Sequence, residues 1–351
     1  MTEKAPPSTD RRAEHGSLAR ELVAQMGDFT WHRVGEMVID NFERNLPKLT
    51  SGQSLAKLRD VSVGQGDGAI ILAAGPSIHR QKPLEKILAA GFKGALIATE
   101  SSMAYCLRND VVPDLVVTTD PHSDRIVRWF GDPDLTSEKL AQDDYFRRQD
   151  MDEKFADEIK TNELLLDKVN THGKDIKIAL ATTSSQAVVD RVLDSGMQIF
   201  WWSPLVDDPD LPNSRSRDMF KRCRMPAMNA GGNVGAAAWM MADAVLGKKH
   251  VALTGIDFGY YGDTPYRNTQ YYHEALDLVG EDRLDEVYIH IYNPYLETWF
   301  YTDPAYAWYR EIFLEMVQDA DCETYNCTEG GILFGDGIHF VSLDSFLTDH
   351  A

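Results

Sequence analysis

Hydrophobic positions change their period twice along the chain. Residues 1–16 hold no apolar stripe and are rich in Pro, Ser, Thr and charge, which reads as a disordered leader. Over residues 17–66 the spacing turns helical, with Leu18, Leu22, Val23 and Met26 on one stripe and Val38, Ile39, Phe42 and Leu46 on another. This predicts a helical prelude packed on a main domain over 67–345. There, short apolar runs alternate with amphipathic segments. The runs are Ala69–Ala73, Gly94–Ala98, Leu115–Thr119, Ile176–Ala181, Gln198–Trp202 and Val251–Thr254. Apolar throughout, they have the character of parallel strands covered on both faces. Helical segments fall between them at Leu84–Ala90, Ser102–Arg108, Gln186–Asp194 and Val234–Leu246, with Gly91 and Gly247 where C-caps belong. Strand–helix–strand alternation predicts a doubly wound, mostly parallel α/β sheet. Residues 131–170 break the rhythm as an acidic helical insertion, with Leu164, Leu165 and Val169 at helical spacing. Residues 261–303 are rich in Tyr, Asp and Asn without regular pattern, and 304–319 return to helix.

Charge narrows the function. Lys+Arg 35 against Asp+Glu 55 leaves a net charge of −20, which repels phosphate backbones and anionic lipid and argues against nucleic-acid or membrane partners. A phosphate-bearing ligand then needs a local pocket of donors. The most apolar stretch, Val234 to Leu246, is too short for a membrane span and carries Asp243. No stretch reads as a signal peptide, and Cys106, Cys223, Cys322 and Cys327 form no Cys-x-x-Cys pair. A cytoplasmic protein is the expectation.

Ligands of open α/β sheets bind beyond the carboxyl ends of the strands, so the loops there carry the candidate chemistry. After the first run, Gly75 permits close backbone approach, Pro76 fixes the turn and Ser77 offers a hydroxyl near the next helix's N-terminus, where free N–H groups favour an anion; a plain tight turn with Ser77 as N-cap is the alternative. The third run ends at Asp120 in Thr118-Thr119-Asp120-Pro121-His122, where a carboxylate suits a ribose, a metal or an acceptor hydroxyl. Thr183 lies among four hydroxyl residues after the fourth, and Gly231-Gly232-Asn233 opens the apolar helix. The last run ends in Gly255-Ile256-Asp257-Phe258. Two Asp-Pro-Asp triplets, at Asp132/Asp134 and Asp208/Asp210, read as plain turns. A dinucleotide fingerprint, a P-loop, a zinc-protease motif and a nucleophile elbow are all absent from the sequence.

In this order, Ala73-Ala74-Gly75-Pro76-Ser77, Pro113-Asp114…Thr119-Asp120-Pro121, Gly231-Gly232-Asn233-Val234-Gly235, Gly255-Ile256-Asp257-Phe258 and Thr328-Glu329-Gly330-Gly331 resemble the motility accessory factor (Maf) family, over about residues 40–340. That family lies within the 6-hydroxymethylpterin diphosphokinase MptE-like group. The first and fourth motifs are also similar to bacterial CMP-sialic-acid-dependent sialyltransferases. The resemblance implies a Rossmann-like glycosyltransferase that moves a nonulosonic acid (sialic, pseudaminic or legionaminic) from a CMP-linked donor to a flagellin or glycan hydroxyl. By similarity, Gly75, Pro76 and Ser77 would line the CMP phosphate and ribose, and Asn233 with Gly232 would complete the nucleotide pocket. Asp257, Tyr260 and Tyr261 would face the sugar and the departing phosphate. His273 is the base candidate, with His290 as the alternative, since the chemistry needs a group titrating near operating pH.

Two other readings stay open. A pyrophosphokinase acting on 6-hydroxymethyl-7,8-dihydropterin would use Mg2+ and ATP, with Asp120 and Asp257 as metal candidates. A non-catalytic nucleotide-binding regulator of flagellar or surface assembly would bind without turnover.

Overall fold

Each apolar run becomes a strand of one central sheet in the computed structural model, which describes residues 10–122, 126–142 and 158–350. In chain order the strands are β1 (Gln53–Ser54), β2 (Gly68–Leu72), β3 (Ala95–Thr99), β4 (Leu115–Val117), β5 (Lys177–Ala181), β6 (Gln198–Pro204), β7 (Ala227–Met228) and β8 (His250–Thr254). They continue with β9 (Tyr260–Tyr261), β10 (Ile289–Asn293), β11 (Thr298–Thr302), β12 (Glu323–Asn326) and β13 (Ile338–Phe340). The main sheet runs β1-β6-β5-β4-β3-β2-β8-β12-β13, with β7 also on β6, and its pairings are parallel. Strand β2 explains why the runs are apolar at every position. Ala69 and Ile71 point to one buried layer while Ile70 and Leu72 point to the other.

Helices cover both faces. Helix Val234–Met240 crosses β2 and β3 on the first face, with Trp239 against Phe313 of helix Pro304–Gln318. It continues as a π-helical turn, Met241–Val245, rather than as one α-helix to Leu246. On the other face, Leu343 and Phe346 of helix Leu343–His350 pack on β2 and β8, while helix Gln186–Ser195 covers β5. The order reverses between β2 and β8. From β2 the chain builds outward through β3 to β6, then returns to place β8, β12 and β13 on the opposite side. This is the switch point of a doubly wound, Rossmann-like sheet, the place where such sheets bind their ligands.

Three boundaries differ from the sequence expectation. Helix Asp10–Asn45 takes in the end of the expected leader, because the breakers Pro6, Pro7, Ser8 and Thr9 stop at residue 9 and residues 11–14 (Arg-Arg-Ala-Glu) are good helix formers. Residues 1–9 lie outside the described ones. The prelude also supplies β1, two residues long and therefore invisible to periodicity. Residues 261–303 fold into a second, antiparallel sheet, β10-β11-β9, whose aromatic and polar strands mask the usual alternation. Of the acidic insertion, 143–157 lie outside the described residues. Its second part, helix Glu158–His172, buries Leu165 and Val169 against helix Glu100–Arg108, while Leu164 is exposed.

The long first helix is pinned to the carboxyl edge by two buried asparagines. Asn41 donates to the carbonyls of Pro121 (2.8 Å) and Thr183 (3.0 Å), and Asn45 to those of Thr182 (3.0 Å) and Ser184 (2.7 Å). Asn45→Ala leaves two buried carbonyls without donors, so urea denaturation should show a loss of about 1–3 kcal/mol. Unchanged stability would mean that these contacts do not hold the helix.

Candidate ligand site at the switch point

The turn after β2 and the turn after β8 are bonded directly to each other. The backbone N–H of Gly75 donates to the carbonyl of Gly255 at 2.9 Å. Beside it, the Ser77 hydroxyl donates to Asp257 Oδ2 at 2.8 Å, and the Ser77 N–H faces both carboxylate oxygens at 3.2 and 3.3 Å. A Cβ at Gly75 would lie 2.2 Å from Asp257 Oδ2, and one at Gly255 would lie 2.2 Å from the carbonyl of Ala73. Only glycines allow this approach, and Gly255 also has a φ of +69°. Pro76, not Ser77, is the N-cap of helix Ser77–Gln81. The donors that the sequence offered to a ligand phosphate are engaged by the chain's own carboxylate.

Asp257 is 2% exposed, and burial pushes its carboxyl up to about 7 against the bonds from Ser77 and the charge of Arg80. The Thr328-Glu329-Gly330-Gly331 segment closes around it. The N–H of Ile332 donates to the Asp257 carbonyl at 2.8 Å, and a Cβ at Gly330 would meet the Tyr261 hydroxyl at 2.5 Å and Asp257 Oδ1 at 3.0 Å. The two tyrosines of β9 point to opposite faces. Tyr261 faces Asp257, and burial lifts its hydroxyl to about 12. Tyr260 turns away into an aromatic cluster, where its hydroxyl donates to Asp303 at 2.9 Å and accepts from the Gln270 N–H. The strand phase therefore brings Tyr261, rather than Tyr260, to Asp257.

A second group forms at the ends of β3 and β4. One Asp120 oxygen accepts from His122, whose backbone N–H lies 2.9 Å and whose Nδ1 lies 3.1 Å from Oδ1. Both side chains are partly exposed, at 25% for His122 and 30% for Asp120. Behind them Glu100, 2% exposed, accepts the Thr119 N–H at 3.0 Å. Burial, reinforced by the charge of Asp120, raises Glu100 to about 8. Sequence reasoning missed Glu100, since a glutamate in the first turn of a helix reads as ordinary dipole compensation. Tyr309, from helix Pro304–Gln318, joins this group. It feels the charges of Asp120 and Asp303, and a Cβ on Gly232 would lie 2.9 Å from its ring.

The remaining candidates take other places. Thr183 is buried under the first helix, its carbonyl held by Asn41. Asn233 is the N-cap of helix Val234–Met240, accepting from the Ala236 N–H at 2.9 Å. His273 sits half-buried in the first turn of helix Tyr272–Val279 with its ring on Tyr272, 5.1 Å between centroids. His290 lies on β10 with Nε2 3.0 Å from the Tyr266 hydroxyl, and partial desolvation of its ring lowers its pKa. Asp120 and Asp257 follow β4 and β8, strands separated by three sheet spacings or about 14 Å. That separation does not suit joint ligation of one metal ion. Among the described residues no three His, Cys, Asp or Glu side chains gather as a metal-ligand set. Both Asp-Pro-Asp triplets form turns in which the first Asp side chain accepts the N–H of the second, at 2.9 Å each. No described helix is long and apolar enough to cross a membrane.

The sheet defines a doubly wound α/β protein whose carboxyl edge gathers hydroxyl, carboxyl and imidazole groups near the switch point. Residues 40–130 match the family described as 6-hydroxymethylpterin diphosphokinase MptE-like. The fold is similar to that of the Maf glycosyltransferase from Magnetospirillum magneticum, with a TM-score of 0.50 and 14% identity over 84% of this chain. The match covers 38% of that protein's own length. No curated protein matches the sequence. The family match is confined to residues 40–130, which hold the first two of the five motifs, and the structural likeness is one of fold.

The buried carboxyls give stability a defined pH dependence. A carboxyl whose folded pKa is raised holds its proton longer in the folded state. Its stabilisation is therefore present at low pH and lost as pH rises from the unfolded value, about 4.5 for Glu100, towards about 8. Over that window each such group contributes a slope of up to about 1.4 kcal/mol per pH unit. Glu100→Gln should flatten the fall in stability between pH 5 and 8, measured by urea denaturation across that range. An unchanged slope would show that Glu100 titrates normally.

Proposed function

We propose that the protein is a glycosyltransferase that moves a nonulosonic acid from a CMP-activated donor to a hydroxyl of a protein, such as flagellin, or of a glycan. The observation that supports this is the gathering of Ser77–Asp257, Tyr261, Glu100, Asp120–His122 and Tyr309 along one sheet edge beside the switch point. The nucleotide would lie across the Gly75-Pro76-Ser77 turn, with Asp120, Gly232 and Tyr309 on its far side.

His122 fits the role of base better than His273. Asp120 accepts from Nδ1 and so fixes the ring, leaving Nε2 to take the acceptor proton. The acceptor oxygen would bond to the anomeric carbon as the carbon–oxygen bond to phosphate breaks. CMP would leave with the bonding electrons, and the acceptor proton would pass to His122. In this reading the departing phosphate would lie beside the Tyr261 ring, outside the turn that Asp257 closes.

The pyrophosphokinase alternative draws on the MptE-like match and on the neighbouring carboxyls of Glu100 and Asp120. Thermal-shift titrations with CMP and with Mg·ATP, each with and without EDTA, separate the two. The transferase reading expects a CMP shift that ignores EDTA and release of CMP from CMP-N-acetylneuraminic acid. His122→Ala should lower that release about 10²–10⁴-fold while leaving CMP affinity nearly unchanged. A shift with Mg·ATP alone, or wild-type release in the variant, would contradict the transferase reading or the base assignment respectively.

A further inference from the structure

A chain with net charge −20 and buried carboxyls along its ligand edge needs a local cation to receive a phosphate. One guanidinium stands at the switch point itself. Arg80, on helix Ser77–Gln81, lies over the Tyr261 ring with its guanidinium carbon 3.9 Å from the ring centroid. Its NH2 donates to Asp263 at 2.7 Å. Aromatic face and carboxylate hold the group flat and oriented, and one bond to Asp263 leaves further N–H donors of the fork unspent. The Arg80 side chain is 45% exposed, so a ligand reaches it from solvent. Its field is felt by Asp257 as well as Tyr261, which places it beside the carboxylate that closes the β2 turn. Gly330 packs against the buried Tyr261 hydroxyl, where a Cβ would lie 2.5 Å away, so the ring offers Arg80 its face and not its hydroxyl.

We propose that Arg80, stacked on Tyr261 at the switch point, is the phosphate-binding residue of this site and takes the phosphate of the nucleotide-activated donor. The assignment rests on the transferase reading for the identity of the nucleotide, but not for the anion. Planar guanidinium and phosphate match as a two-bond pair. With the turn donors of Ser77 engaged by Asp257, the phosphate is displaced outward from the turn towards Arg80. A raised Asp257 carboxyl carries less opposing charge at neutral pH than an ordinary aspartate would.

The test compares wild type, Arg80→Gln and Arg80→Lys by isothermal titration with CMP, cytidine and inorganic pyrophosphate at two salt concentrations. Wild type should bind CMP more tightly than cytidine and bind pyrophosphate in a salt-sensitive way. Arg80→Gln should lose about tenfold or more in affinity for CMP and pyrophosphate, with cytidine unaffected. Arg80→Lys should restore part of the loss, because it keeps the charge but not the fork. An exposed ion pair contributes little to folding, so Arg80→Gln should denature in urea as wild type does. Equal CMP and pyrophosphate affinities in wild type and Arg80→Gln would overturn the proposal, as would a wild type that binds neither anion. Arg80-dependent pyrophosphate binding without CMP binding would support Arg80 as the anion site and overturn the CMP reading alone.

Discussion

The arrangement at the switch point depends on one carboxylate. Asp257 reaches from the turn after β8 to the turn after β2 and takes both the hydroxyl and the N–H of Ser77. These turns flank the point where strand order reverses, which in doubly wound sheets is normally an open crevice. Here its floor is closed by the chain itself. Two glycines make the closure possible, and the segment 330–332 seals it from the far side. A ligand entering this crevice meets Tyr261, Arg80 and the turn backbone rather than a bare helix start.

The electrostatics follow from that closure. Glu100, Asp257 and Asp303 are buried carboxyls, raised to about 8, 7 and 6 respectively, with burial as the largest cause in each. Their bonds come from backbone N–H groups and from the hydroxyls of Ser77 and Tyr260. Carboxyls that titrate this near to neutral pH differ from ion-paired surface acids such as Asp263 and Glu43, and such shifts gather at functional sites. Asp303 anchors the tyrosine cluster under β9–β11, while Glu100 and Asp257 flank β2 at the edge itself. The separation into scaffold acids and edge acids gives the site its charge pattern.

The core strands were legible because both faces of each are buried, so composition alone marks them to within about two residues at either end. Strands at the margins were not. β1 and β7 are two residues long, and β12 reads Glu-Thr-Tyr-Asn with no apolar run. At the site, Ser77 and Asp257 were visible as polar groups in glycine-rich turns after strands. Tyr260 and Tyr261 were indistinguishable, since a two-residue strand carries no phase of its own. Glu100 and Arg80 were hidden for another reason. Each looks like a surface charge on a helix, and only the approach of β4 to one and of Tyr261 to the other makes it part of the edge.

Hydrogen–deuterium exchange on the full chain, with and without saturating CMP, tests the switch-point site most directly. The account expects slowed exchange in peptides covering 73–81, 255–263 and 328–332, which carry the closed turns and the groups around them. Protection confined to a distant surface would contradict it. One such location is the groove lined by Leu58, Val61, Gly64 and Ala244–Lys248, beside the amino ends of β2 and β8.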